Sequence, residues 1–368
     1  MVYNNKIDEE LLIYKNNHNV NELPAAFHYC AEKYLRKLLM NSIGVTSFES
    51  LVIKYIDILK EDKDEISIKI CSLGSGNCEK EIGITRDCEF KGKIYCYDIN
   101  SDMLERGRKS ADNNDLHNFE FIKCDINDIQ LDQEFDIVFA HHSLHHFMKL
   151  EHIFDEVNRC MTKKSFFIIA DMIGRNGHMF WDNTLEIYNA IWNIFPKELK
   201  YNVKRNKYII KRLQWGFSIE GFEGIRAQDI LPLLDEKFKF KDFAPFFAIV
   251  NKFTDRDFGY NFDLENNYHL SLLDMICNLD DFALKNKILR PTQLLAAMVK
   301  KDAEISDYRY LYFEDAKEIY AQDNQKFWEK FDHPNKTSYI EVINSAYWKI
   351  KPLRIILDLI KSIRKKST

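Results

Sequence analysis

The stretch Ile70-Cys71-Ser72-Leu73-Gly74-Ser75-Gly76-Asn77-Cys78 decides the fold. An apolar run ends in two glycines one residue apart, in a chain that has only 12 glycines and 7 prolines among 368 residues. A strand that turns tightly into a helix needs glycine there, because a side chain would block both the turn and the close approach of a ligand. The spacing stops short of the full dinucleotide fingerprint, since the third glycine would fall at Glu79. A nicotinamide-dependent oxidoreductase on the same sheet is disfavoured for that reason.

Outward from this loop, short apolar runs alternate with helix-like polar segments: Ile68–Leu73, Ile94–Tyr97, Phe119–Cys124, Phe135–Ala140 and Phe166–Ala170. Five such strands predict a doubly wound parallel sheet, and Phe238–Val250 offers two more, for seven. Residues 1–62 carry helical spacing, as do about 175–220 and 255–345. The expected organisation is therefore a helical segment at 1–62, a cofactor-binding α/β domain at 63–254 with a helical insertion, a helical acceptor-site region at 255–345, and a tail at 346–368. No internal repeat supports a solenoid.

Composition limits what such a chain can do. Hydrophobic residues at 46% and charged residues at 30% make a globular balance, not a disordered or fibrous one. The tail holds seven basic side chains and one acidic one, which leaves −11 for residues 1–345 out of a total of −5. An acidic body argues against general nucleic-acid binding. The tail reads as a basic amphipathic helix, suited either to an anionic membrane surface or to packing on the acidic body. Eight cysteines without a C-x-x-C pair, and no apolar run of about 18 residues, predict free thiols in a cytoplasmic protein.

Polar groups gather at the predicted strand ends. Asp98, 22 residues beyond Gly76, falls where a carboxylate accepts hydrogen bonds from both ribose hydroxyls of a nucleoside. Asp125 closes the third strand, placed for an exocyclic amine, and His141-His142-Ser143-Leu144-His145-His146 closes the fourth. Asp98 and Asp125 are also ordinary turn caps by residue type. The four histidines invite a metal reading, which is set aside because no carboxylate or cysteine completes a ligand set at that spacing.

These residues resemble the class I S-adenosylmethionine (SAM)-dependent methyltransferases. Four motifs carry the resemblance over roughly residues 66–170: Leu73-Gly74-Ser75-Gly76-Asn77, Tyr97-Asp98-Ile99, Lys123-Cys124-Asp125-Ile126, and Phe135-Asp136-Ile137-Val138 leading into Ser143-Leu144-His145-His146. Cys78 departs from the pattern, where the family often has a third small glycine. The resemblance implies a Rossmann-like sheet and SAM as cofactor. The cofactor residues it implies are Leu73, Gly74, Ser75, Gly76, Asn77, Asp98, Ile99, Met103, Asp125, Ile126, His141, His142 and Leu144. A softer likeness, at Phe27–Leu35, Asp171–His178 and Gly221–Pro232, is to a bacterial subgroup found with surface-polysaccharide biosynthesis. It implies O-methylation of a sugar hydroxyl in a glycan or its precursor. Methylation of another small molecule or lipid, or a catalytically inactive SAM-binding scaffold, are the alternatives.

Methyl transfer to an alcohol needs alignment and a group to accept the hydroxyl proton. His178, Asp171 and Glu223 are the candidate bases, and His146 or His145 is the candidate facing the cleft. Arg175, Arg226 and Arg256 are candidate partners for an acidic substrate group, and an exposed Trp181 would stack on a sugar. The rest of the aromatic run, Phe180, Tyr188, Trp192 and Phe195, reads as core.

Overall fold

The computed structural model describes residues 22–214, 216 and 222–321. The expected tail at 346–368, the first 21 residues, Glu220 and Gly221 lie outside them. Among the described residues no helix is long and apolar enough to cross a membrane. The eight cysteines are free thiols, six of them buried.

All five expected strands form, as β1 (Lys69–Leu73), β2 (Lys93–Asp98), β3 (Phe119–Lys123), β4 (Phe135–His141) and β5 (Met161–Met172). They pair in parallel in the order β3-β2-β1-β4-β5. The winding reverses between β1 and β4, so a crevice opens above the carboxyl ends of those two strands. Tyr201–Asn202 (β6) and Lys207–Tyr208 (β7) make a small separate hairpin.

The far side of the sheet differs from expectation. Phe238–Phe246 (β8) is one strand, not two, and its partner β9 (Gln293–Lys300) comes from the stretch expected to be helical. β9 runs antiparallel between β5 and β8, and the two-residue edge strand β10 (Arg309–Tyr310) brings the total to eight where seven were expected. The physical reason is burial. β9 reads Gln-Leu-Leu-Ala-Ala-Met-Val-Lys, and every residue but the last is buried, so it shows no two-residue alternation and its composition favours helix.

Helices cover both faces. The chain enters through α1 (Ala25–Cys30), a π-helical turn and α2 (Arg36–Ile43), then α3 (Phe48–Lys60). α3 packs Leu51, Val52, Tyr55 and Ile56 on one face of the sheet, together with α4 (Glu79–Asp87) and α5 (Ser101–Asn113). The other face carries α6 (Leu150–Cys160), α7 (Asp182–Ile194), α8 (Ala227–Lys237) and α9 (Asn267–Lys285). β5 shows how the two cores share one strand: Phe167 and Ile169 enter one, Phe166 and Ile168 the other. Each such side chain contributes about 1.5–3 kcal/mol by leaving water, so the strand ends beneath the crevice are rigidly held. Phe180, Tyr188, Trp192 and Phe195 are buried, as their spacing implied.

Candidate active site

The glycine loop is stitched to the neighbouring strand. Gly74 N–H and Ser75 N–H both donate to the Tyr97 carbonyl, at 2.8 and 3.0 Å. Gly74 sits at φ +71°, and a Cβ there would lie 2.6 Å from Ser143 Cβ, so only glycine lets the β1 and β4 ends come this close. Ser143 Oγ completes the seam by donating to the Leu73 carbonyl at 2.7 Å. Cys78 adopts φ +58°, the left-handed conformation that makes glycine common at this position. Its side chain is accommodated because Gly107 of α5 leaves the space opposite, where a Cβ would meet Cys78 Sγ at 3.0 Å.

The strand-end acids have structural partners. Asp98 accepts from Gly76 N–H at 2.8 Å and from Asn100 N–H at 2.7 Å, which joins the loop to the start of α5. The helix cap is Asn100, not Asp98: its side chain accepts from the N–H groups of Asp102 and Met103. Met103 Cε lies 3.1 Å from where a Gly76 Cβ would be, which places it over the loop. Asp125 caps the turn Ile126–Asp128 through Asn127 N–H at 2.9 Å. Ile126 and Leu144 are buried, Ile99 is half-buried, and His141 lies 4.7 Å from both Phe48 and His142, ring to ring. Asn77 Nδ2 donates to Glu79 at 2.6 Å. These residues stand at the ends of β1 to β4, the rim at which a nucleoside-bearing cofactor such as SAM is expected from the sequence.

The next strand end builds a second layer. Asp171, fully buried on β5, accepts from Ser143 N–H (2.9 Å), Leu144 N–H (2.8 Å) and its neighbour Met172 N–H (2.7 Å), and its Oδ1 lies 2.6 Å from His145 Nδ1. Burial alone would raise its pKa, but the His145 imidazole and the N–H donors prevail and hold it down at about 2. Asp171 is thus an ionised anchor with its lone pairs engaged, which removes it from the candidate bases.

Sequence separation hides the rest of the cluster. The loop at 222–225 is drawn in by Gly177 N–H to the Gly224 carbonyl (2.8 Å) and Ile225 N–H to the His145 carbonyl (3.1 Å). That brings Glu223 to 2.9 Å from His178 Nε2, 3.7 Å from His145 Nε2 and 3.5 Å from His146 Nε2. Burial pulls the His178 pKa down to about 4, against the pull of Glu223, so its ring is neutral at pH 7. Burial pushes Glu223 the other way, yet the His178 hydrogen bond and the charges of His145 and His146 leave it well below the ordinary carboxylate range. Gly224 is at φ +66°, and a Cβ there would stand 2.9 Å from Cε1 and 3.0 Å from Nδ1 of His178, so only glycine lets the loop lie this close to that ring edge. Lys252 Nζ holds the His178 carbonyl at 2.8 Å.

The structure brings His146, His178, Glu223 and Asp171 together and engages the proposed substrate residues with protein partners. Arg226 is clamped by both Glu151 oxygens and by Asp229, and Arg256 donates to the Glu22 carbonyl. Arg175 is 1% exposed and donates to the Phe180 carbonyl. Trp181 is only 8% exposed, with Arg175 and Arg290 over its ring, so the expected open stacking face is not formed. Sequence names His145 only as an alternative to His146 and does not find Lys252. His145, weighed only against His146, links Asp171 to Glu223, and Lys252 has no local motif at all. The carboxylate that the histidine run lacks in sequence is supplied by folding, since Glu223 lies 77 residues beyond His146.

Comparison with known proteins bears on the same region. Residues 64–211 match the family model described as a methyltransferase domain. No curated protein matches the chain. Among solved structures, a SAM-dependent methyltransferase from Aquifex aeolicus is similar at 19% identity, covering 32% of this chain and 63% of that one, with a TM-score of 0.27. The O-methyltransferase of a trans-AT PKS multienzyme of Brevibacillus brevis, solved with S-adenosyl-L-homocysteine, is 13% identical, covering 78% and 83% with a TM-score of 0.40. A SAM-dependent methyltransferase from Mesorhizobium loti is 13% identical, covering 69% and 98% with a TM-score of 0.36. The chain spans 63%, 41% and 36% of the Aquifex protein, of TehB from Haemophilus influenzae and of coclaurine N-methyltransferase. The chain is thus similar to a methyltransferase domain over residues 64–211.

Proposed function

We propose that the protein transfers the methyl group of SAM to a hydroxyl, with a sugar of a bacterial surface glycan or its precursor as acceptor. The observation that carries the hydroxyl reading is the pair His178 and Glu223, 2.9 Å apart beside the β4 and β5 ends. An alcohol must lose a proton as its oxygen attacks, and a neutral imidazole backed by a carboxylate is suited to take it. The sugar reading is supported by the sequence likeness to the polysaccharide-associated subgroup.

SAM, when bound, supplies an electrophilic methyl on a sulfonium. The glycine loop at Gly74–Gly76 and the Asp98 carboxylate would hold it, Asp98 at the ribose. Nδ1 of His178 would take the proton of the acceptor hydroxyl as its oxygen accepts the methyl group that SAM supplies. Nε2–H of His178 donates to Glu223, whose charge stabilises the imidazolium that forms. Asp171 and His145 hold Glu223 in place from the far side.

A labelled-methyl assay on glycans and glycolipids from a strain lacking the gene tests this. His178→Ala and Glu223→Gln should each lower turnover about 10²- to 10⁴-fold while SAM affinity by calorimetry stays near wild type. Full turnover in both variants would refute the assignment, and absence of SAM binding by the wild type would refute the function.

A further inference from the structure

We propose that His145, His178 and Glu223 form a binding site for a divalent transition-metal ion of the zinc type. One ring nitrogen of each histidine and one Glu223 oxygen lie within 4.8 Å of one another. The Glu223 oxygen is 2.9 Å from His178 Nε2 and 3.7 Å from His145 Nε2. Tetrahedral ligands at about 2.0–2.1 Å from zinc stand roughly 3.3 Å apart, so modest side-chain movement closes the set. Two imidazoles and a carboxylate suit zinc, cobalt or manganese better than magnesium or calcium, which prefer oxygen ligands.

The outer shell points the same way. His145 Nδ1 is held by Asp171 at 2.6 Å, and Asp171 is itself fixed by three backbone N–H groups. This is the carboxylate–histidine arrangement that sets the tautomer and aims Nε2 at a metal. His146 Nε2, 3.5 Å from the other Glu223 oxygen, is placed to add a fourth ligand.

The site stands on this geometry and does not depend on what the acceptor is. Its consequence for the proposed reaction is an off state. A metal on Nε2 of His178 leaves the neutral ring's proton on Nδ1, the atom that must receive the acceptor's proton.

The test uses the full-length protein after chelator treatment, titrated with Co²⁺ by visible absorption and then with Zn²⁺. The expected result is a saturable ligand-field spectrum at one equivalent, displaced by Zn²⁺. Glu223→Gln and His178→Ala should weaken Co²⁺ binding at least about tenfold and Asp171→Asn about 10- to 100-fold. SAM binding by each variant confirms that it is folded. A wild type that binds SAM but gives no cobalt spectrum overturns the proposal, as does unchanged Co²⁺ affinity in folded Glu223→Gln and His178→Ala. A wild type that binds cobalt as described but not SAM sinks the methyltransferase reading and leaves the metal site standing.

Discussion

Replacing Asp171 by Asn isolates the charge that holds the β4 and β5 ends together. The aspartate is 1% exposed, carries three backbone N–H bonds and one to His145, and is held at about pKa 2 against an ordinary 3.8. A depressed carboxylate stabilises the fold above its unfolded pKa, and that contribution disappears as pH falls through the folded value. The shift of nearly two units corresponds to roughly 2–3 kcal/mol, fully present at pH 7. Asparagine still accepts from the backbone through one oxygen but turns an N–H₂ toward the other donors, leaving His145 Nδ1–H or Met172 N–H unmatched. We therefore expect Asp171→Asn to cost about 2–3 kcal/mol at pH 7, with the difference from wild type shrinking between about pH 4 and 2. Urea unfolding followed by far-UV circular dichroism across that range measures it. A loss below about 0.5 kcal/mol at pH 7, or one that does not depend on acid pH, would refute the assignment of Asp171 as an ionised anchor.

Four further outcomes follow from the same reasoning. Glu81, buried in α4 and bonded to Ser72 Oγ, is pushed up by burial to about 7. Its raised pKa favours the fold in acid and loses that contribution between about pH 4.5 and 7, so Glu81→Gln should flatten the pH dependence of stability there, by up to ~3 kcal/mol. Gly74→Ala introduces a Cβ 2.6 Å from Ser143 Cβ at a left-handed φ; SAM affinity by calorimetry should drop at least about tenfold, or ~1.4 kcal/mol. Gly224→Ala would cover the Nδ1 edge of His178, so turnover should collapse while SAM binding persists, and retained turnover would count against Nδ1 as the acceptor. Arg226→Ala should cost about 1 kcal/mol of stability through the lost Glu151 and Asp229 pairs, which are partly exposed, with KM for the acceptor unchanged; a raised KM would return Arg226 to the substrate site.

Local sequence determined what local physics controls. A glycine pair after an apolar run, and carboxylates at the ends of the next two strands, specify turns and strand ends within a few residues, so β1 to β5 were legible directly. Separation along the chain removed that legibility. β9 pairs between β5 and β8, and its continuous burial erases the alternation that marks a strand. Arg175, Arg226 and Trp181 look like substrate contacts by residue type, yet each is consumed by partners that only folding supplies. The histidine run gains its carboxylates the same way, from Asp171 on the adjacent strand and Glu223 on a distant loop. Sequence alone thus set the parallel part of the sheet, β1 to β5, and its loop of glycine. The tertiary structure decided which acid is an anchor, which is available to a proton or a metal, and which histidine joins them, because burial and hydrogen-bond partners arise only when separated segments meet.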